Sequence, residues 1–232
     1  MIPLRDTAPR YSTPFVTVGL ILTNILVFFY QLTLDPYSLQ HFVWEYGVVP
    51  LRFAHFVAGD VGVEAGLAPF FTHMFMHGGF IHLLGNVWFL WIFGDNLEDQ
   101  LGHFKYLAFY LLCGLAAAFA QTFLTLGSRI PSIGASGAIA GVMGGYLVLF
   151  PGARVLTIVP FFLLFTVEIP AVVILLYWLV VQVGSGLASL GTASVQDQGG
   201  VAWWAHVGGF VAGLVLVKLM GRRREVRRYY HW

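Results

Sequence analysis

The run IPSIGASGAIAGVMGGYLVLFP, Ile130 to Pro151, decides what kind of molecule this is. From Ala135 it is apolar and laced with glycine, and Pro151 stops it. It reads as a membrane helix over roughly Ala135 to Phe150, but a short one. Below about 17 residues, a span either starts inside the bilayer or thins it. A helix that starts at depth needs its preceding loop at depth too, covered by other helices or facing a wet cavity. Ser136 sits in the first turn of this helix, where unpaired N–H groups and the positive dipole end can stabilise a developing negative charge. A lone serine on a membrane helix more often bonds a carbonyl one turn back or packs as a small residue. The glycines Gly134, Gly137, Gly141, Gly144 and Gly145 weaken that reading, because they give the helix a smooth side for another backbone to approach.

Outward from this helix the chain is apolar almost throughout. Of its 232 residues 58% are hydrophobic and only 10% charged, against roughly a quarter charged in soluble domains. That excludes an ordinary soluble fold, and a formal net charge of +1 gives no case for a nucleic-acid partner. Six spans are expected: roughly Phe15 to Leu34, Ile81 to Phe93 (with Phe71 to Gly79 leading in), Phe104 to Leu126, Ala135 to Phe150, Ile169 to Leu190 and Ala202 to Met220. The predicted class is an all-α polytopic membrane protein with a short central fourth helix. One membrane domain covers 1–220, followed by a basic tail over 221–232. No cleavable signal peptide is read ahead of the first span. Arg5 and Arg10 precede that span, and six basic residues lie between Lys218 and Arg228. The positive-inside rule then puts both termini in the cytoplasm. The first loop, roughly Asp35 to Pro69, carries Trp44, Tyr46 and several Phe. It reads equally as a half-inserted interfacial element or as a plain loop with an aromatic belt. Cys113, the only cysteine, excludes an intrachain disulfide and reads as a small buried hydrophobe.

Polar side chains at membrane depth are costly, and each needs a partner or a task. The stretch HMFMHGGFIHLLGN holds His73, His77, His82 and Asn86. His82 and Asn86 are four apart and share a helix face, and the same spacing puts His73 and His77 on one face. Paired histidines at this spacing raise the question of metal, but Met74 occupies the place of the metalloprotease glutamate, so no metal is expected. In AWWAHVGGFVAGL, His206 lies about a turn into the sixth span, with Gly209 and Gly213 on its face. Packing Gly137 and Gly141 against Gly209 and Gly213 would bring the imidazole to the serine hydroxyl. That set has the parts for acyl transfer: Ser136 as nucleophile, His206 as general base, and His82, Asn86 and the Ser136 N–H as donors to an oxyanion. Asp197 and Glu168 have no defined path to the imidazole, so a dyad is expected rather than a triad.

These motifs, FTHMFMHGGFIHLLGNVWFL, GASGAIAGVMGGY and AHVGGFVAGL, together with GDNLEDQLG around Glu98, resemble those of the rhomboid family of intramembrane serine proteases. The resemblance runs from roughly Val18 to Met220 and falls on the second, fourth and sixth helices in the family's order. It implies a six-helix bundle of the basic bacterial type in a bacterial or archaeal plasma membrane. It also implies a Ser136–His206 dyad, an oxyanion hole at His82 and Asn86, substrates that are other transmembrane proteins, and no metal or cofactor. Two departures from the pattern matter. Ala140 stands where some members stack a Tyr on the catalytic histidine, which leaves His206 to be held by other aromatics. Ala68 and Pro69 stand where some members have a Trp–Arg pair, so the first loop must be anchored differently. The alternative from another class is a non-catalytic protein that uses the same cavity to hold membrane segments. A small-solute transporter would show internal repeats, and none of fixed period is present.

Overall fold

The computed structural model describes residues 2–161, 163–190 and 201–221. Among the described residues, six helices form the bundle: α1 (Phe15–Thr33), α6 (Phe80–Leu101), α7 (His103–Leu124), α8 (Ser136–Leu149), α9 (Ala171–Leu190) and α10 (Trp203–Met220). Among the described residues, α1, α7, α9 and α10 are each long and apolar enough to cross a membrane, and α6 joins the helical segment before it as a bent pair at 77°. The chain is an integral membrane protein. Each expected span matches one of these helices to within a few residues, apart from the second, where α6 runs on to Leu101.

The fourth helix is the short one, and it occupies the centre. Its 14 residues reach about 21 Å at 1.5 Å per residue, against a hydrocarbon core of about 30 Å. Every residue from Gly137 to Tyr146 is buried, as a helix that is apolar all round must be. Packing is closest against α10. A Cβ added to Gly209 would stand 2.0 Å from the Gly137 carbonyl oxygen, and one on Gly213 would stand 2.0 Å from that of Gly141. On its other side, a Cβ on Gly141 would stand 2.3 Å from that of Cys113 on α7. At this helix contact any side chain would force the backbones apart.

Below the bundle lies a small sheet that the sequence reading did not anticipate. Strands β1 (Ile2–Asp6), β2 (Arg154–Phe161) and β3 (Leu163–Pro170) pair antiparallel in that order. The register of β1 on β2 slips between Pro3 and Arg5; a bulge lets an edge strand carry a residue without an N–H donor. The sheet also constrains topology. β1 precedes the first span and β2 follows the short helix, so an even number of crossings separates them, and α8 must count with α1, α6 and α7.

The first loop folds into short helices: α2 (Pro36–Tyr46), α3 (Pro50–Ala58), α4 (Val63–Leu67) and α5 (Pro69–Thr72). Asp35 caps α2, its carboxylate accepting from the Tyr37 and Ser38 N–H groups, with Pro36 in the first turn. Phe53, Phe70 and Phe119 pin the loop to α7, the first two rings 5.2 Å apart. The loop has its own anchor: buried Arg52 donates to the Trp44 and Gly47 carbonyls and lies 5.1 Å from the Trp44 ring. Leu51 N–H bonds the Ser128 carbonyl, and Val48 bridges Ser132, so the loop also braces the segment leading into α8.

One local expectation fails. His73 and His77 do not share a helix face: a single 3-10 turn ends at Phe75 and Met76 turns extended. The glycines at 78 and 79 break the chain before α6 begins. The basic tail read at 221–232 lies, beyond Gly221, outside the described residues.

Candidate active site

Ser136 opens α8 with no side-chain cap before it, so the N–H groups of that first turn remain available to an outside acceptor. The chain reaches this point through Gly134, whose φ is +128°. Its N–H bonds the His73 carbonyl at 2.9 Å. A Cβ on Gly134 would stand 2.7 Å from His82 Nε2 and 3.7 Å from Ser136 Oγ. Only a residue without a side chain keeps the space between imidazole and hydroxyl open, and only glycine adopts that φ without strain.

From α10, His206 Nε2 comes to 2.7 Å from Ser136 Oγ. The glycine contact described above sets this distance: His206 lies one turn before the point where α10 touches the α8 backbone. The imidazole is buried, with 8% of its residue surface exposed. Trp178 of α9 lies over it at 5.6 Å between ring centroids and Trp203 meets it edge-on at 6.4 Å. These rings occupy the role that Ala140, fully buried inside α8, cannot fill. The other ring nitrogen, Nδ1, lies 2.7 Å from Gln182 Oε1, and the Gln182 amide Nε2 donates to the Trp178 carbonyl at 3.2 Å.

His82 and Asn86 stand one turn apart on α6, as their spacing requires. His82 lines the same cavity as Ser136 and His206, a volume of about 640 Å³ whose wall also includes Gln121, Trp203 and Trp204. Asn86 is 6% exposed, and its Nδ2, a donor, has no hydrogen-bond partner. His77 lies edge-on to His82 at 5.2 Å with neither ring nitrogen paired, while its backbone is clamped from both sides by Gln31 of α1. His73 is turned away, its Nδ1 against the Pro69 carbonyl. Among the described residues, no three His, Cys, Asp or Glu side chains converge as a metal ligand set. Of the two acids weighed as orienting groups, Glu168 faces Arg154 on the sheet at 3.4 Å, and Asp197 lies outside the described residues.

Two functional candidates escaped the sequence reading. Gln182 is one. The other is Gln121 of α7, whose Oε1 accepts the Ala205 N–H at 3.2 Å and so caps the helix that carries His206. The signal was present in both cases: an amide within an apolar run demands a partner at depth.

The arrangement holds a hydroxyl against an imidazole, beside His82 and an open helix N-terminus, on the wall of a cavity. It can deprotonate an alcohol and receive negative charge on an oxygen, the two requirements of acyl transfer. Comparisons with known proteins bear on the same chain. A family model described as "Rhomboid domain" matches residues 64–223. Similar curated proteins include RHOMBOID-like protein 4 of Arabidopsis thaliana, 33% identical over 158 residues. Rhomboid protein 1, mitochondrial, of Saccharomyces cerevisiae is 29% identical over 164 residues, and Presenilin-associated rhomboid-like protein A, mitochondrial, of Danio rerio is 29% identical over 176. These alignments cover 68%, 66% and 70% of this chain but only 34%, 42% and 41% of the relatives' own lengths.

Proposed function

This chain belongs to the rhomboid family, and on that premise we propose that it is an intramembrane serine endopeptidase that cleaves transmembrane segments of other membrane proteins. The observation that carries the proposal is the 2.7 Å contact of Ser136 Oγ with His206 Nε2 on the wall of a cavity. In this reading His206 takes the hydroxyl proton as Ser136 attacks the scissile carbonyl. The oxygen that becomes negative meets the Ser136 N–H, His82 and the unpaired Asn86 Nδ2. His206 then gives its proton to the leaving amine, and water, activated by the same imidazole, releases the acyl group. No step calls for a metal or a cofactor. Residues 1–220 act as one membrane domain, with both termini on the cytoplasmic side; the pairing of β1 with β2 supports an even number of spans between them. The relatives compared above are eukaryotic and two are named mitochondrial, so the bacterial or archaeal plasma membrane implied by the resemblance draws no support from them.

The test uses purified protein in detergent, a model transmembrane substrate and a fluorophosphonate probe. Ser136→Ala and His206→Ala should each lower cleavage by at least about 10³-fold, and Ser136→Ala should abolish labelling. Cleavage that survives either substitution overturns the mechanism. A wild-type chain that binds the substrate but neither cuts it nor takes the probe is the non-catalytic holder of membrane segments instead.

A further inference from the structure

We propose that Gln182 of α9 is a positioning residue that fixes the tautomer of His206, making a relay of three side chains out of the expected pair. The inference rests on the Ser136–His206 reading above. It starts from an atom that cannot change its role: the Trp178 backbone carbonyl can only accept a hydrogen bond. The Gln182 amide end facing it, at 3.2 Å, must therefore be the NH₂. That leaves Oε1, which can only accept, turned toward His206 Nδ1 at 2.7 Å. Nδ1 must then carry the proton. In a neutral imidazole the other nitrogen is bare, so Nε2 accepts from the Ser136 hydroxyl 2.7 Å away. A backbone carbonyl on the fifth helix thus dictates, through two side chains, that the histidine meets the serine as a base.

Packing supports a fixed geometry. Gln182 is 5% exposed and His206 8%, so exchange with solvent does not compete for these bonds, and Trp178 covers the ring from the helix turn that carries the carbonyl. The choice of an amide suits the location. A carboxylate would orient the ring equally well, but it would add a charge at membrane depth that needs its own partner. The amide orients without that cost, though its dipole stabilises a charged imidazole less than a carboxylate does.

The experiment compares wild type, Ser136→Ala, Gln182→Met and Gln182→Glu by kinetics on a model transmembrane substrate and by ¹⁵N-histidine spectra, with His206 assigned from its loss in His206→Ala. Methionine keeps the length and packing of the side chain without the acceptor. We expect kcat to fall roughly 10- to 100-fold with KM unchanged, less than the about 10⁴-fold that a wrong tautomer costs a carboxylate triad. Gln182→Glu, which can still accept from Nδ1, should recover most of that loss. The neutral His206 of wild type should be protonated at Nδ1, and in Gln182→Met it should shift toward Nε2. A wild-type imidazole protonated at Nε2 overturns the inference without any variant, even where Gln182→Met fails to fold. So does a Gln182→Met enzyme of wild-type kcat, or one slowed with its tautomer unmoved, which would make Gln182 a packing residue. Cleavage that survives Ser136→Ala instead overturns the reading beneath it, and the wild-type spectrum still reports on Gln182 separately.

Discussion

The two ends of α8 each hold a hydroxyl in a hydrogen bond, and their surroundings differ. At the start, Ser136 meets His206 on the wall of a cavity that His82 also lines, and the unpaired His77 ring lies edge-on to His82. At the finish, Tyr146 donates to the Asp6 carboxylate at 2.5 Å, in a zone where the chain before α1 is stitched along α6. There Arg10 pairs with Asp95 at 2.9 Å, Ser12 donates to Asp99, and Asn96 donates to the Ala8 carbonyl. Glu98, fully buried, accepts from the Val16 and Thr17 N–H groups and the Thr17 hydroxyl, and also meets His103 Nδ1. Some oxygens stay without partners at this end too, among them Asn96 Oδ1 and Asp99 Oδ2. The contrast is in access. The leftover groups at the sheet end, the Tyr106 hydroxyl among them, lie inside a packed clamp, whereas the Ser136 hydroxyl, His82 and His206 face an open cavity. Buried groups without partners are costly wherever they lie, so what sets the Ser136 end apart is the cavity onto which its hydroxyl and imidazole open.

The sharpest way to break this comparison is at its most saturated point. Glu98→Gln turns one acceptor oxygen into an NH₂ among groups that already donate. Removing one partner from a buried charged cluster costs about 3 to 5 kcal/mol. Thermal unfolding in detergent should show this loss, while cleavage per folded molecule stays near wild type. A variant equally stable but slow would mean that the α1–α6 clamp belongs to the chemistry.

Asn86→Ala should give the reverse signature. Losing one donor to an oxyanion lowers the rate by roughly 10- to 1000-fold, about 1.4 to 4 kcal/mol of barrier. Stability should be unchanged or slightly higher, because an unpaired buried group has been removed. The check is kcat with the folded fraction measured in the same samples. An unchanged rate would make Asn86 a structural residue and leave the oxyanion to His82 and the backbone.

Much of this was legible in the sequence for a physical reason. Glycine at Gly137, Gly141, Gly209 and Gly213 announces a close helix contact, and a contact of that kind fixes the side chains beside it. Ser136 and His206 could therefore be brought together across 70 positions. Gln182 was not legible in the same way: its meaning depends on which neighbour α9 turns it toward, and nothing local encodes that. The sheet was hidden for a different reason. β1 finds its partner some 150 residues away, Pro3 in β1 and Pro160 in β2 read as loop signals, and strand β3 is apolar enough to pass for the start of a span. His73 and His77 were misread because helical spacing was assumed across a stretch in which a 3-10 turn ends at Phe75 and Met76 turns extended.

The smallest effect expected lies at the sheet end and separates a paired group from a comfortable one. Burial pushes the Asp6 carboxyl up to about 6, with the Tyr146 hydrogen bond opposing and the nearby Asp95 adding to the rise. An acid whose folded pKa is raised holds its proton in the native state at a pH where the unfolded chain has already released it. Native stability then falls as pH rises from about 4 to about 6 and stays lower above that. The loss is at most about 1.4 kcal/mol per pKa unit, and solvent at the sheet edge reduces it further. Asp6→Asn keeps an acceptor for Tyr146 but cannot ionise. Its thermal midpoint in detergent, measured from pH 4 to pH 7 beside wild type, should gain on wild type steadily across that window. A gap that stays constant would show that Asp6 titrates alike in the folded and unfolded chain, and that its burial beside Tyr146 carries no charging cost.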